Sequence, residues 1–181
     1  MPNHTDNGIR VKGKVKDIQK MLREIKEMDI DEDTGKKFER PFSFNKIIPT
    51  PTNIYQGNLG QKEKAQYGED NWYDWNIKNW GTKWNAYSGQ VETNFPSNTI
   101  QYLEEDKGEA YIFFQSAWSP PEPVLDAFIK KYPEFDLEIG YMIEGNTAWG
   151  KYTYKKGKLV KESDKASTVK QFFKKYFYKN V

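Results

Sequence analysis

The stretch AYIFFQSAWSPPEPVLDAFIKKYPEFDLEIGY, residues 110–141, decides the fold prediction because it contains a strand, a helix and a second strand in direct succession. Residues 111–114 are apolar enough for a central strand. Two prolines at 120 and 121 are typical of the first turn of a helix, whose apolar stripe is Val124, Leu125, Phe128, Ile129 and Tyr132. Pro133 ends this helix, and alternation then predicts a strand through Leu137, Ile139 and Tyr141.

The residues before this stretch predict a similar succession. Residues 8–14 alternate apolar and basic side chains, which is typical of a half-buried strand. A helix with Asp17 as its cap should follow, with an apolar stripe of Ile18, Met21, Leu22, Ile25 and Met28. Phe42, Phe44 and Ile47 predict a second strand, and residues 100–103 are expected to pair with residues 110–116.

The resulting order of strand, helix, strand, strand, helix, strand predicts an α+β fold with a ferredoxin-like βαββαβ core. We expect one domain, with residues 1–48 and 100–145 forming the core and residues 49–99 forming an aromatic-rich insertion. Residues 146–181 are predicted to add a C-terminal hairpin, turning at Lys156 and Gly157, and a C-terminal helix.

Composition excludes several classes of function. The chain has 12 Tyr, 11 Phe and 6 Trp, so the core must be built largely from aromatic rings. The absence of Cys excludes disulfides and thiolate chemistry, and one His makes a serine triad or a histidine metal site within the chain unfavourable. A net charge of +2 indicates no particular partner. No signal-peptide pattern or membrane-spanning run is present, so we predict a soluble, cytoplasmic protein.

Three short signatures carry a resemblance to a known family. They are Met1-Pro2-Asn3 with Asn7, the sequence NWGTKWNA at residues 79–86, and the sequence AWSPP at residues 117–121. Together, over roughly residues 1–150, they resemble the YubB-like proteins, phage and plasmid proteins of unknown function that carry a ferredoxin-like domain. The resemblance implies this fold and an origin in a mobile genetic element, and it implies no catalytic residues.

The second and third signatures contain the candidate binding residues. Trp80, Trp84 and Trp118 could form an aromatic platform for a ligand, but we expect all three to be mostly buried, near one another, as wedges between insertion and sheet. Thr82, Lys83 and Asn85 could cradle an anion in a polar turn. The alternative, which we favour, is a purely structural role in which these three residues only determine the conformation of the loop.

Other candidates are weaker. His4, near Asp6, could act as a general base, although solvation is the more common role of a lone His. Carboxylates at 29, 31 and 33 and at 104, 105 and 106 would suit acid–base or metal chemistry only if they converged on a cleft. Residues 107–114, KGEAYIFF, partly match the third-strand pattern of RNA-recognition domains, but Glu109 replaces a stacking aromatic.

The C-terminal helix has two distinct faces. We expect it to dock on the sheet through Val169, Phe172, Phe173 and Tyr176. Its lysines, Lys170, Lys174, Lys175 and Lys179, should then face solvent. Such a basic ridge could stabilise the helix through its dipole, or it could contact an acidic partner or a phosphate backbone.

Our functional hypothesis is a non-enzymatic binding protein of a phage or mobile element, without a cofactor or metal. Its partner would be a host protein or ribonucleoprotein of a defence system, with inhibition of a CRISPR effector as the sharpest version. The alternative is a metal-dependent enzyme or an RNA-recognition-like module that acts on nucleotides or nucleic acid.

Overall fold

A computed structural model of the 181-residue chain describes residues 3–31, 34–96 and 106–178. In chain order the elements are β1 (His4–Lys14), α1 (Val15–Ile25), β2 (Glu27–Ile30), β3 (Lys37–Arg40), α2 (Gln61–Tyr67), α3 (Trp72–Trp80), β4 (Tyr87–Thr93), β5 (Lys107–Ala117), α4 (Glu122–Lys131), β6 (Asp136–Ile143), β7 (Trp149–Lys155), β8 (Lys158–Ser163) and α5 (Ala166–Tyr176). No helix in these ranges is both long enough and apolar enough to cross a membrane.

Six strands form one antiparallel sheet in the order β4-β5-β1-β6-β7-β8, and β2 and β3 form a separate ribbon. The four strands β4, β5, β1 and β6, with α1 and α4 as crossovers, are the ferredoxin-like βαββαβ unit. The α+β ferredoxin-like prediction is therefore confirmed. The predicted hairpin is β7 and β8, and it extends the sheet beyond the unit.

The main core lies between the sheet and the helices α1 and α4. Alternate residues of the strands point into it, such as Ile9 and Val11 on β1 and Ile112 and Phe114 on β5, which are all fully buried. Phe42 stacks on Phe114 with ring centroids 4.7 Å apart. The core is thus filled by rings, as the composition predicts.

The opposite face of the sheet is covered by α5. Val169, Phe172, Phe173 and Tyr176 are buried there, which confirms the predicted docking stripe. Gly140 leaves space for this contact, because a Cβ atom at that position would lie 2.8 Å from the Phe172 ring.

A charged network lies beneath α5. Arg10 donates to Glu109 at 2.8 and 2.9 Å and to Glu138 at 2.5 Å, and its guanidinium lies 4.6 Å from the Tyr176 ring centroid. Burial disfavours the Glu109 carboxylate, but hydrogen bonds from Arg10 and Tyr111 outweigh burial and lower the pKa of Glu109 to about 2. The pairing keeps these charges inside the layer between sheet and helix.

The predicted second core strand is wrong. Phe42 and Phe44 are buried, but residues 44–46 form a single 3-10 turn, and no strand among the described residues pairs with them. The strand beside β5 is instead β4, which lies inside the stretch predicted as an insertion. The apolar signal at positions 42 and 44 reflects burial of the two rings, and a tight turn can place both rings in the core as well as a strand can.

Two further predictions near α1 differ from the structure. The helix begins at Val15 rather than at a cap by Asp17, and it ends at Ile25, so Met28 lies on β2 and is exposed. The predicted strand at residues 100–103 lies outside the described residues.

Candidate functional site

The two loops that carry the second and third signatures are bonded to each other at one end of the sheet. The Thr82 hydroxyl donates to the Ala117 carbonyl at 2.6 Å and accepts from the Ala117 N–H at 3.1 Å. The Ser119 hydroxyl donates to the Gly81 carbonyl at 2.9 Å. Signatures that are separated by about thirty residues therefore form one structural unit.

The first of these loops directly follows helix α3. Its N-cap is Asn71, whose side-chain oxygen accepts from the N–H groups of Tyr73 and Asp74. Its C-cap is Gly81, in the left-handed region with φ 74°, packed so closely that a Cβ would lie 2.9 Å from Pro123. The glycine of the signature is therefore required twice, by its dihedral angle and by its proximity to α4.

The remaining polar residues of the loop hold it in place. The Asn85 side chain accepts from the Phe44 N–H at 2.7 Å and donates to the Ser43 hydroxyl at 3.0 Å. The Asn76 amide donates to the Lys83 carbonyl at 2.9 Å. The hydrogen bonds of Thr82 and Asn85 thus hold the loop in place, and a role of these residues in binding stays a prediction.

Lys83 lies among aromatic rings. Its Nζ is 4.7 Å from the Trp84 ring centroid and 5.9 Å from the centroids of both Tyr73 and Trp118. Among residues 3–31, 34–96 and 106–178, no carboxylate forms an ion pair with it. Its partners are ring faces, which attract an ammonium group through their quadrupoles.

Further ring contacts make the cluster continuous. Tyr73 meets Trp118 edge to face at 6.5 Å, and Trp84 meets Tyr87 in the same way at 6.2 Å. We call the five residues Tyr73, Lys83, Trp84, Tyr87 and Trp118 the aromatic surface. Trp84 is 37% exposed and Trp118 is 40% exposed, so its two largest rings are open to solvent.

Trp118 has an unusual backbone for an exposed, bulky residue. Its φ is 71°, in the left-handed region that favours glycine. The N–H of Trp118 donates to the Asn3 carbonyl at 2.8 Å, and the flanking Ala117 is held by Thr82. Surrounding bonds therefore impose a strained conformation that presents the indole outward, and such strain is concentrated at functional sites.

His4 extends the cluster at the edge of the sheet. Its Nδ1 lies 2.7 Å from the Tyr87 hydroxyl oxygen, and its backbone N–H donates to Glu144 at 3.0 Å. Burial, with the negative charges of Asp6 and Glu144, raises the pKa of Tyr87 to about 12. The tyrosine therefore stays protonated, and its hydroxyl shares a hydrogen bond with the imidazole whose direction depends on the His4 tautomer.

The tryptophan prediction is correct for one residue of three. Trp80 is buried, with its indole N–H donating to the Ile48 carbonyl at 3.0 Å and its ring against Phe44. Trp84 and Trp118 are exposed, so the prediction that they are wedges is wrong. A buried wedge was favoured because the insertion is poor in aliphatic residues, but Trp80 with its neighbour Trp75 already meets that need.

Sequence reasoning missed Tyr73 and Tyr87. Tyr73 lies in the first turn of α3, outside the three signatures that carry the candidate residues. Tyr87 begins the unpredicted β4. Lys170, Lys174 and Lys175 lie on another element, the exposed face of α5, where Lys175 Nζ is 5.0 Å from the Tyr176 ring centroid. Lys179 lies outside the described residues.

Other candidate chemistry is less supported by the geometry. No three His, Cys, Asp or Glu side chains within the described ranges come together as metal ligands. Asp29 pairs with Arg40, and Asp31 accepts from Thr34 in its turn, while positions 33, 104 and 105 lie outside the described residues. The sheet face that RNA-recognition domains use is covered here by α5.

An open, mostly polar cleft of about 850 Å³ shares Trp84 with the aromatic surface. It is lined by β2, by residues between positions 45 and 58, and by α3 with the loop that follows it, among them Glu27, Asn45 and Trp72. The exposed Trp84 indole is therefore accessible both from this cleft and from the surface around Lys83.

The fold and this surface define a ferredoxin-like α+β domain with an exposed aromatic cluster on two interlocked loops. The chain belongs to the family described as the ferredoxin-like domain in Api92-like proteins, whose family model matches residues 79–175. The match includes both loops, the hairpin and nearly all of α5. It therefore extends beyond residue 150, where the sequence resemblance ended, and it does not include β1 or α1.

A similar solved structure is the crystal structure of the protein Api92 from Yersinia pseudotuberculosis, with 14% sequence identity and a TM-score of 0.40. The similarity covers 53% of this chain and 30% of that protein, so the chain spans less than a third of its length. No curated protein matches the sequence.

Proposed function

We propose that this chain is a non-enzymatic binding protein of a phage or related mobile element, and that it contacts a macromolecule of the bacterial host cytoplasm through the aromatic surface. The observation that carries the proposal is the position of Lys83 among Tyr73, Trp84 and Trp118. A cation already surrounded by rings, with two indoles open to solvent, has the composition of a binding hot spot.

Rigidity supports a role in binding. The loops are held by hydrogen bonds from Thr82, Ser119 and Asn85, so the large rings are presented in one arrangement before any partner arrives. Less conformational entropy is lost when such residues become immobilised in a complex. The strained backbone of Trp118 is consistent with a position maintained for contact rather than for stability.

The partner that we propose is a protein or ribonucleoprotein of a host defence system, with a CRISPR effector as the most specific version. The mobile-element origin is supported by the resemblance of the signatures at residues 79–86 and 117–121 to phage and plasmid proteins. A small rigid domain that carries an aromatic hot spot is sufficient for inhibition by occlusion, since no chemistry is required of the inhibitor.

The direct test compares three forms of the tagged protein as bait in host lysate and in reconstituted defence complexes. The double variant Trp84→Ala with Trp118→Ala should lose at least about tenfold in affinity, as paired hot-spot rings do. The matched control is charge reversal of Lys170, Lys174 and Lys175, which lie on the exposed face of α5. Circular dichroism should show that both variants stay folded.

Each result decides a different point. Undiminished binding by the double variant excludes the aromatic surface, and lost binding by the lysine variant makes the α5 ridge the interface. Recovery of RNA or DNA alone, with the same dependence on Trp84 and Trp118, would replace the protein partner by base stacking on the rings. Metal-dependent turnover that one carboxylate substitution abolishes would replace the binding protein by an enzyme.

A further inference from the structure

A small tyrosine-lined pocket lies between α4 and the strands β6 and β7, and the function proposed above does not use it. Its volume is about 210 Å³. The sheet supplies Ile139, Tyr141, Tyr152 and Tyr154, while α4 and the turn before it supply Pro120, Glu122, Leu125, Asp126 and Ile129. A cavity of this size accommodates one head group rather than a drug-sized ligand.

Strand register explains why the tyrosines converge. Tyr141 pairs with Gly150 across β6 and β7, and Ile139 pairs with Tyr152, so these side chains share the face that α4 covers. Gly150 leaves space beside the Tyr141 ring, since a Cβ there would lie 2.6 Å from Tyr141 Cε1.

The charges around the pocket have one sign. Glu122 and Asp126 line it, and Glu162 on β8 pairs with Tyr152 and therefore lies on the same face. None of the lining residues is Lys, Arg or His, and within the described ranges neither Glu122 nor Asp126 forms an ion pair. The pocket thus combines aromatic rings with uncompensated negative charge.

The titration of the tyrosines agrees with this geometry. Burial, the neighbouring Asp126 and Tyr152, and the carboxylates of Glu122 and Glu162 all raise the pKa of Tyr154. Burial, Tyr152 and Glu122 raise the pKa of Tyr141. The carboxylates, which contribute to these shifts after burial, would stabilise a cation bound among the rings.

We propose that this pocket binds an alkylammonium group. Tyrosine rings attract a cation through their faces, and Glu122 and Asp126 at the rim neutralise its charge without requiring it to be fully dehydrated. Anionic ligands are disfavoured by the carboxylates, and neutral ligands gain no charge–charge attraction from them. The group could come from a free quaternary or primary amine, or from a lysine side chain of a bound protein.

The experiment is an NMR titration of the full chain in which the amide and tyrosine ring resonances are followed. The probes are choline, the uncharged isostere of choline in which carbon replaces nitrogen, and a blocked lysine within a short neutral peptide. We expect choline or the lysine peptide to shift resonances of Tyr141, Tyr152 and Tyr154 saturably, and the isostere to bind at least about fivefold more weakly. The tighter of the two cationic probes identifies the source of the group.

A charge-removing variant separates recognition from simple apolar binding. Glu122→Gln combined with Asp126→Asn preserves shape and should weaken cation binding at least about fivefold while leaving the isostere unaffected. The matched control is Glu134→Gln, an exposed carboxylate after α4 that does not line the pocket. Equal binding of choline and its isostere, unchanged affinity in the double variant, or the absence of saturable shifts would each overturn the proposal.

Discussion

Replacement of Thr82 by valine should destabilise the protein strongly, although the two side chains have nearly the same shape and volume. The Thr82 hydroxyl serves both backbone groups of one residue, since it donates to the Ala117 carbonyl at 2.6 Å and accepts from the Ala117 N–H at 3.1 Å. Both residues are fully buried. Valine fills the same volume but leaves the Ala117 N–H without this partner, while the Ala117 carbonyl keeps its bond from the Ser119 N–H at 3.0 Å.

The expected loss follows from these two groups. The unpaired Ala117 N–H costs about 1–3 kcal/mol and the lost bond to the carbonyl about 1 kcal/mol more, so the free energy of unfolding should fall by roughly 2–4 kcal/mol. Thr82→Ser is the matched control, because it keeps the hydroxyl and loses one methyl group, at a cost of about 1 kcal/mol. The difference between the two variants isolates the hydrogen bonds from the packing.

Urea unfolding followed by tryptophan fluorescence measures this difference. With a slope of about 2 kcal/mol per molar urea, Thr82→Val should move the midpoint down by roughly 1–2 M, and Thr82→Ser by about 0.5 M. The slopes should stay equal to that of the wild-type protein. Equal midpoints for the two variants would refute the view that this hydroxyl joins the two loops.

Three further outcomes are expected. Trp80→Ala should lower the free energy of unfolding, measured in urea, by about 3–5 kcal/mol, and Trp84→Ala by about 1 kcal/mol, because only the Trp80 ring is buried. Similar losses in the two variants would contradict the exposure of Trp84. Glu109 has its pKa lowered from 4.5 to about 2, so its stabilising contribution is complete above pH 4.5 and is lost as the pH falls toward 2. Glu109→Gln should therefore flatten the unfolding free energy across that interval, and a profile as steep as that of the wild type would contradict the pairing. Gly140→Ala should displace α5 at a cost of about 1–3 kcal/mol and accelerate amide exchange in that helix; unchanged exchange would show that the contact yields freely.

The elements with a strong local pattern could be predicted from sequence. Residues 110–141 predicted β5, α4 and β6, and the docking face of α5 was predicted residue by residue. In each case the spacing of the apolar residues equals the repeat of the helix or strand, so these residues all lie on the buried face. Tertiary packing had nothing to override there.

Strand β4 could not be predicted because its side chains are polar and half exposed and because its backbone is interrupted near Ser88, whose φ is 51°. It lies at the edge of the sheet, where its side chains are only partly buried. Its hydrogen-bonded pairing with β5, rather than a local sequence pattern, makes it a strand. The aromatic Phe42 and Phe44 gave the stronger local signal, although they are core residues on a turn.

The candidate site is divided in the same way. The sequence by itself determined which residue types are present, the ferredoxin-like order of elements, and that residues 79–86 and 117–121 belong together. Only the tertiary structure decided that Trp80 points inward while Trp84 and Trp118 point outward around Lys83. The physical reason is that exposure of a loop side chain depends on backbone dihedrals such as the left-handed φ of Trp118, and hydrogen bonds between distant residues fix those angles.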